Sequence, residues 1–136
     1  MTDISVRYIV DDVDAAVDFY TSHLQFEVTM RPGPGFAMLR RRGLRLLLNS
    51  PGGGGGAGQT LSDGSRPEPG GWNRFQLEVD DVGGTVERLR RTGVEFRGDI
   101  IDGRGGRQAL ALDPSGNLVE LFQPHRAVTD GTKANF

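Results

Sequence analysis

The chain has 136 residues, of which 36% are hydrophobic and 25% charged, a composition typical of a globular protein with a modest core. Its 16 basic and 18 acidic residues give a formal net charge of −2, so we expect no broad field that would bind nucleic acid or an anionic membrane surface. The absence of cysteine excludes disulfides, thiolate metal sites and thiol nucleophiles. An N-terminus without signal-peptide features, and no apolar run long enough to span a bilayer, predict a cytoplasmic protein with no membrane partner.

An alternating run over residues 4–10 predicts the first strand, and a helical pattern follows it. The helix begins at the Asp11-Asp12 pair, because one of these carboxylates can accept the unpaired N–H groups of the first turn. We expect it to end near His23 and Leu24. Its apolar face has the i, i+3, i+4, i+7 spacing and consists of Val13, Ala16, Val17 and Tyr20.

Three further strands and a long connection complete the first half. Turn residues at 31–35 and 42–43 separate the strands, which are predicted at residues 26–30, 36–40 and 44–49. Residues 50–71 have no periodic pattern and include five consecutive glycines, so they are predicted to be a linker. This linker is either a solvated tether or a lid that closes over a bound ligand.

The second half repeats the first, because Val10-Asp-Asp-Val13 returns as Val79-Asp-Asp-Val82. The second helix should end at Gly93, and strands are predicted on either side of it at residues 73–79, 94–100, 107–112 and 117–122. The chain is therefore predicted to be a single α+β domain over residues 1–136. It would contain tandem βαβββ repeats at 4–49 and 73–124 and a flexible tail at 127–136. A four-stranded sheet with one helix leaves its other face bare, so we expect the repeats to form a cup-shaped mixed sheet.

Two motifs connect this pattern with a known family: the run from Val10 to Tyr20, and Asp113-Pro-Ser-Gly-Asn-Leu-Val-Glu-Leu121. Together with the repeat, they resemble the vicinal-oxygen-chelate superfamily of glyoxalases, bleomycin-resistance proteins and dioxygenases over residues 4–124. The resemblance implies the glyoxalase/bleomycin-resistance fold and a homodimer. It leaves the activity open, because members include metal-dependent enzymes as well as binding proteins.

Metal-dependent members resemble one another in placing His, Gln or Glu ligands on the first and last strands of each repeat. The matching positions here are Ser5, Leu47, Arg74 and Glu120. Only Glu120 is a suitable ligand, and three or more are usual, so we predict no metal and no other cofactor. The two histidines, His23 and His125, lie away from these strand positions and are expected at the surface or an interface.

Residues two apart on a strand share a face, so the four matched positions identify the rest of the inward face. The neighbours Ile9 and Leu118 would be on it, and the predicted ligand-binding set is Arg7, Arg45, Leu47, Asn49, Trp72, Arg74, Gln76, Glu78, Glu120 and Phe122. The opposite faces are apolar and suited to packing beneath the helices. Alternatively, the polar face is only solvated, or it forms an internal ion-pair network such as Arg74 with Glu120.

The preferred functional hypothesis is a metal-free protein that sequesters a small molecule, such as an antibiotic or an aromatic or acidic metabolite. Arginines on the inward face favour a ligand with carboxylate, enolate, phenolate or quinone oxygen. Trp72 could stack on a flat ligand or anchor the preceding glycines against the core. The alternative is a metal-independent isomerase or lyase-like enzyme in which Glu120 or Glu78 is the general base and Arg74 stabilises an oxyanion.

Overall fold

A computed structural model describes residues 4–53 and 55–125, and the tail predicted at 127–136 lies outside them. The chain forms two compact units. Unit 1 contains the described residues up to Trp72 together with Asp113–Asn117, and unit 2 contains Asn73–Leu112 and the described residues from Leu118 onward. That residues 1–136 form a single domain stays a prediction. In the described part of the chain, no helix is long and apolar enough to cross a membrane.

Each unit contains one βαβββ module. The elements of unit 1 are β1 (Ile4–Ile9), α1 (Val13–His23), β2 (Glu27–Gly33), β3 (Phe36–Arg41) and β4 (Leu44–Asn49). Those of unit 2 are β5 (Phe75–Glu78), α2 (Val82–Arg91), β6 (Glu95–Asp102), β7 (Gly106–Leu112) and β8 (Leu118–Pro124). The predicted α+β fold with tandem βαβββ modules is thus confirmed.

The two sheets have the same topology. Their strand orders are β1-β4-β3-β2 and β5-β8-β7-β6, with the first and last strands of each module paired in parallel and the other neighbours antiparallel. Arg7 is paired with Leu47 in the first sheet, and Gln76 with Glu120 in the second. These two pairs therefore occupy equivalent places, which justifies comparing the modules position by position.

Both helices begin at the second aspartate of the repeated pair. The side chain of Asp12 accepts a hydrogen bond from the backbone N–H of Ala15 at 3.2 Å, and that of Asp81 accepts one from Gly84 at 3.1 Å. The ends differ. Gly93 has the predicted left-handed conformation after α2, with φ at 96°. After α1 the left-handed residue is Gln25, which directly follows the predicted end at His23 and Leu24.

The apolar strand faces pack as the alternation predicts. Leu46 and Leu48 on β4 are fully buried, as are Val119 and Leu121 on β8. The apolar faces of both helices are also buried, at Val13, Ala16, Val17 and Tyr20 in α1 and at Val82, Val86 and Leu89 in α2. Burial of a leucine or valine side chain contributes about 1.5–3 kcal/mol, so each unit has its own apolar core and leaves the opposite, more polar strand faces for other uses.

β2 is longer than the sequence predicts. Residues 31–35 were expected to form a turn because they contain two prolines, but the strand continues to Gly33 and includes Pro32. β2 lies at the edge of its sheet, where a proline can occur without removing a ladder hydrogen bond. Irregular pairing with β3 between Met30 and Gly33 gives Pro32 further freedom.

The turn between β7 and β8 forms a buried polar cluster in unit 1. The Asp113 carboxylate accepts hydrogen bonds from the Tyr20 hydroxyl at 2.8 Å and from the backbone N–H groups of Ser115 and Asn117 at 2.9 Å. The Asn117 amide in turn donates to the carbonyl of Ile9 at 2.8 Å. Burial, reinforced by the Asp113 charge, raises the pKa of Tyr20 well above its ordinary value. The second family motif therefore has a structural role.

Residues 50–53 and 55–58 form a folded segment, called the glycine-rich turn below. The N–H of Gly52 donates to the carbonyl of Gly58 at 2.6 Å, that of Gly53 to Ser50 at 3.0 Å, and that of Ser50 to Gly35 at 3.1 Å. A Cβ on Gly53 would lie 2.4 Å from the Ser50 hydroxyl oxygen, and one on Gly58 would lie 2.5 Å from two carbonyl oxygens. These contacts describe a compact turn that requires glycine at two positions rather than a solvated tether.

Candidate functional site

The polar face of unit 2 contains a closed hydrogen-bonded cluster. The Arg74 guanidinium donates to one carboxylate oxygen of Glu120, with N···O distances of 3.0 and 2.8 Å. The Gln76 amide donates to the other oxygen at 2.7 Å. The side chains of Glu120 and Arg74 are only 11% and 25% exposed. The ion pair that the sequence offered as an alternative to a ligand contact is therefore present at one carboxylate oxygen, and the Gln76 amide binds the other.

This cluster does not fit a divalent cation. Of the positions that match metal ligands in the family, Arg74 is a cation and Glu120 already accepts hydrogen bonds on both oxygens. Their counterparts in unit 1 are Ser5, which accepts a hydrogen bond from Arg45 at 3.0 Å, and the apolar Leu47. Nowhere in residues 4–53 and 55–125 do three His, Cys, Asp or Glu side chains come together as a metal-binding group. A single carboxylate that is paired with a guanidinium, with no second suitable ligand beside it, does not form a site for a divalent cation.

The polar face of unit 1 contains an arginine, Arg7, that forms no ion pair with a described carboxylate. One terminal nitrogen of the Arg7 guanidinium donates to the side-chain oxygen of Asn49, which is almost completely buried. Asn49 in turn anchors the end of β4, where its backbone carbonyl accepts from the N–H of Val10 at 2.9 Å. Across the described ranges, no carboxylate forms an ion pair with Arg7. A guanidinium has five N–H donors, so Arg7 can bind an anionic oxygen while it keeps its contact with Asn49.

A cavity of about 280 Å³ lies beside these two side chains. Its walls come from β1, β4, the β2–β3 hairpin and the glycine-rich turn, and its lining residues are Arg7, Asn49, Pro32, Phe36, Gly55, Gly56 and Ala57. Apolar walls with a few converging polar groups are the usual form of a small-molecule site. The cavity lies wholly within unit 1, and it brings together two of the residues predicted to bind ligand.

The lining of this cavity, as far as the described residues define it, contains none of the other predicted ligand residues. Arg45 is hydrogen-bonded to Ser5, and Leu47 lies opposite Arg7 on the neighbouring strand. In unit 2, Glu78 is exposed and lies opposite Phe122. Their roles in binding stay predictions.

Trp72 is 65% exposed, which does not suit the core anchor considered from the sequence. Gly70 is held instead by Asn117, whose side-chain oxygen accepts from the glycine N–H at 2.7 Å. A role for Trp72 in stacking on a ligand stays a prediction.

Neither histidine is part of the site. His23 makes an edge contact with Phe19, with ring centroids 5.5 Å apart. Nε2 of His125 lies 2.9 Å from the carbonyl oxygen of Gly103 and 3.6 Å from a carboxylate oxygen of Asp102. Both side chains are partly exposed, as surface histidines are.

Sequence reasoning missed the apolar walls of the cavity. Phe36 is paired with Asn49 across β3 and β4, so strand alternation places the two on one face once that pairing is known. The alternation in β3, with buried Ala37 and Leu39 between less buried neighbours, was an available signal. Pro32 and Ala57 come from segments expected to be a turn and a linker, and strand alternation does not assign the side chains of such segments to a face.

Comparison with known proteins agrees with this architecture. Residues 4–121 match the model of the Glyoxalase/Bleomycin resistance protein/Dioxygenase superfamily. A member of that superfamily from Sphaerobacter thermophilus is 26% identical, with a TM-score of 0.71, over 90% of this chain and 97% of its own. TnmS3, an antibiotic binding protein from a Streptomyces species, is 26% identical with a TM-score of 0.67, over 92% of this chain and 97% of its own. Lactoylglutathione lyase from Agrobacterium tumefaciens, at 21% identity and a TM-score of 0.70 over 90% of this chain and 92% of its own, shows the shared fold alone.

No match was found among curated protein sequences. The tandem βαβββ modules define the general class, a glyoxalase-like α+β protein. The family match covers nearly the whole described chain, so the protein belongs to the glyoxalase/bleomycin-resistance/dioxygenase superfamily. Proteins similar to the chain include an antibiotic binding protein at 26% identity, and a lactoylglutathione lyase shares its fold.

Proposed function

We propose that this protein is a metal-free small-molecule-binding protein that sequesters a planar aromatic or acidic metabolite, with an antibiotic as one possible ligand. The observation that carries the proposal is the Arg7 cavity, where a guanidinium without a carboxylate partner in the described chain borders an apolar chamber of about 280 Å³. The similarity to an antibiotic binding protein gives the proposal further support.

Charge favours an anionic ligand at this cavity. The only charged side chain in its lining is Arg7, and the only other polar side chain is Asn49, whose oxygen already accepts from Arg7. An anionic oxygen bound to Arg7 would form charge-assisted hydrogen bonds, each contributing about 1.5–3 kcal/mol. Phe36 and Pro32 supply apolar surface for the rest of the ligand.

The enzymatic alternative is weakened by the state of Glu120. A general base must present a free lone pair to the proton that it removes. Both oxygens of Glu120 accept hydrogen bonds from Arg74 and Gln76, so a proton on carbon would have to compete with a guanidinium. Glu78 is exposed and remains the candidate base for an isomerase or lyase-like reaction.

The test is calorimetric titration of the purified protein with planar aromatic, quinone and acidic metabolites, with mass spectrometry of the recovered ligand. We expect saturable binding, intact ligand, and a large loss of affinity in Arg7→Gln. Arg88→Gln is the matched control, because Arg88 is an exposed arginine on α2 and outside the cavity. Chemical conversion of the ligand by wild type, lost in Glu78→Gln, would replace sequestration with the enzymatic alternative.

Two expectations accompany the proposal. Family resemblance implies a homodimer, which sedimentation equilibrium would detect as twice the 14.7 kDa chain mass. A cytoplasmic location is also expected, because a chain without cysteine has no need of an oxidising compartment, and cell fractionation would test it.

A further inference from the structure

A second cavity adjoins the Arg7 cavity in unit 1. It is an open groove of about 660 Å³ between the β2–β3 hairpin and the glycine-rich turn. Pro32, Phe36 and Gly55 line both spaces, so the groove is a lateral continuation of the cavity. Any ligand longer than the first cavity has this direct path along the hairpin.

The chemistry of the groove differs from that of the cavity. Among the described residues that line it, none has a charged side chain, and the only polar side chain is that of Ser50. Prolines 32, 34 and 51 and the ring of Phe36 present rigid apolar surface, and the remaining lining residues are glycines. Glycine lets a ligand approach the backbone closely, and rigid rings lose little conformational entropy on binding. A flat, uncharged group suits such a slot better than a flexible or ionic one.

We infer that the groove is a second subsite, and that the ligand class is an extended planar aromatic acid. Its anionic oxygen binds Arg7, and its fused-ring body passes Phe36 and Pro32 into the groove. This inference rests on the proposed function and specifies its ligand. The continuous lining and the change from a cationic to an uncharged wall carry it.

The glycines of unit 1 allow the two spaces to be closed separately. A Cβ on Gly33, Gly43 or Gly56 would meet no atom within 4 Å, and none of the three has a left-handed backbone. Gly33 lines only the groove, Gly56 lines only the Arg7 cavity, and Gly43 lines neither. Leucine at Gly33 should therefore occupy the groove, leucine at Gly56 the cavity, and leucine at Gly43 neither space. At none of the three positions does the Cβ meet the backbone, as it would at Gly53.

The test compares benzoate with anthracene-2-carboxylate, which have the same anionic group but one and three rings. We expect wild type to bind the anthracene acid about tenfold more tightly or better, because two further rings bury apolar surface. Gly33→Leu should abolish this preference and leave benzoate affinity unchanged. Gly56→Leu should weaken both acids, and Gly43→Leu neither. Gly33→Ala, a smaller change, should reduce the preference for the anthracene acid to an intermediate value. This variant keeps the test valid if the leucine variant fails to fold.

The outcomes separate the two claims. Equal binding of the anthracene acid by wild type and both Gly33 variants would overturn the subsite and leave the proposed function standing. Binding of neither acid by wild type would overturn the proposed function and the subsite with it. Binding of both acids that is unchanged in Gly56→Leu and Arg7→Gln would show that the ligand lies elsewhere, and would also overturn both.

Discussion

The two units have the same topology but use their polar strand faces differently. In unit 2, a carboxylate at Glu120 neutralises Arg74 and also accepts from Gln76, so the cluster is complete within the protein. In unit 1, the position equivalent to Glu120 is Leu47, and among the described residues Arg7 contacts the neutral oxygen of Asn49 and no carboxylate. An inward arginine is therefore a candidate for binding a ligand only where its own repeat lacks the matching carboxylate.

The largest effect should come from breaking the closed cluster in unit 2. Glu120→Ala leaves Arg74 partly buried without its counter-charge, and we expect a loss of about 3 kcal/mol in the free energy of unfolding. Urea denaturation would measure it. The double variant Arg74→Met with Glu120→Leu should recover most of that loss, because an apolar pair carries no unmatched charge. Arg7→Gln in unit 1 should cost less than about 1 kcal/mol. Equal losses in Glu120→Ala and Arg7→Gln would remove the distinction between the units.

The next effect concerns ligand affinity. Arg7→Gln should weaken binding of anthracene-2-carboxylate by about 10- to 100-fold, the range for losing charge-assisted hydrogen bonds. The matched control is Arg88→Gln, whose arginine is exposed on α2. Isothermal titration at two salt concentrations would show whether the loss is electrostatic. A similar loss in the Arg88 variant would mean that net charge, rather than the site, controls binding.

A transplant between the units sharpens the comparison. Leu47→Glu places in unit 1 the carboxylate that unit 2 has at the equivalent position, beside Arg7 on the neighbouring strand. We expect this glutamate to pair with Arg7 and lower affinity for anthracene-2-carboxylate by about tenfold, with little change in stability because Leu47 is only partly buried. Leu47→Gln, of the same shape without the charge, should retain most of the affinity. If Leu47→Glu and Leu47→Gln bind anthracene-2-carboxylate equally well, the charge state of Arg7 does not explain the difference between the two units.

The smallest expected effect is a change in stability, and it concerns a difference between the two helices. Tyr20 in α1 donates to buried Asp113, whereas Leu89 holds the equivalent place in α2, so Tyr20→Phe should cost about 1 kcal/mol at neutral pH. The raised pKa of Tyr20 means that the folded protein keeps the phenol proton where the unfolded chain loses it. This contribution is complete below the unfolded tyrosine pKa of about 10 and is lost as pH rises above it.

Denaturation curves from pH 7 to 11 would measure this dependence. The stability gap between wild type and Tyr20→Phe should narrow above about pH 10. A gap that stays constant to pH 11 would contradict the assignment of a protonated, buried Tyr20.

The fold was largely predictable because its signals are local. Alternation correctly separated buried Leu46 and Leu48 from the polar face, and the repeated Asp-Asp pair located both helix starts. Prediction failed where long-range pairing decides the conformation. Pro32 remains in a strand because β2 lies at a sheet edge, a property of strand order that the sequence does not carry.

The candidate site was only partly predictable for the same reason. Alternation identified Arg7 and Asn49, which are on regular strands. The apolar walls depend on the packing of the glycine-rich turn against the β2–β3 hairpin, as in the hydrogen bond from Ser50 to Gly35. Such a contact between irregular segments leaves no periodic trace in the sequence.

The Asp113 turn also determines when each unit can finish folding while the chain is being synthesised. Unit 1 is complete only when Asp113–Asn117 joins it, after the Asn73–Leu112 part of unit 2 has been translated. The hydrogen bond from Asn117 to Ile9 spans 108 positions and that from Tyr20 to Asp113 spans 93. The first module thus leaves the ribosome lacking part of its own interior, and closing these long loops should be a late, slow step of folding. A nascent chain stalled before residue 113 would contain nine of the ten helices and strands of the described chain, β1 through β7, yet neither unit would be finished.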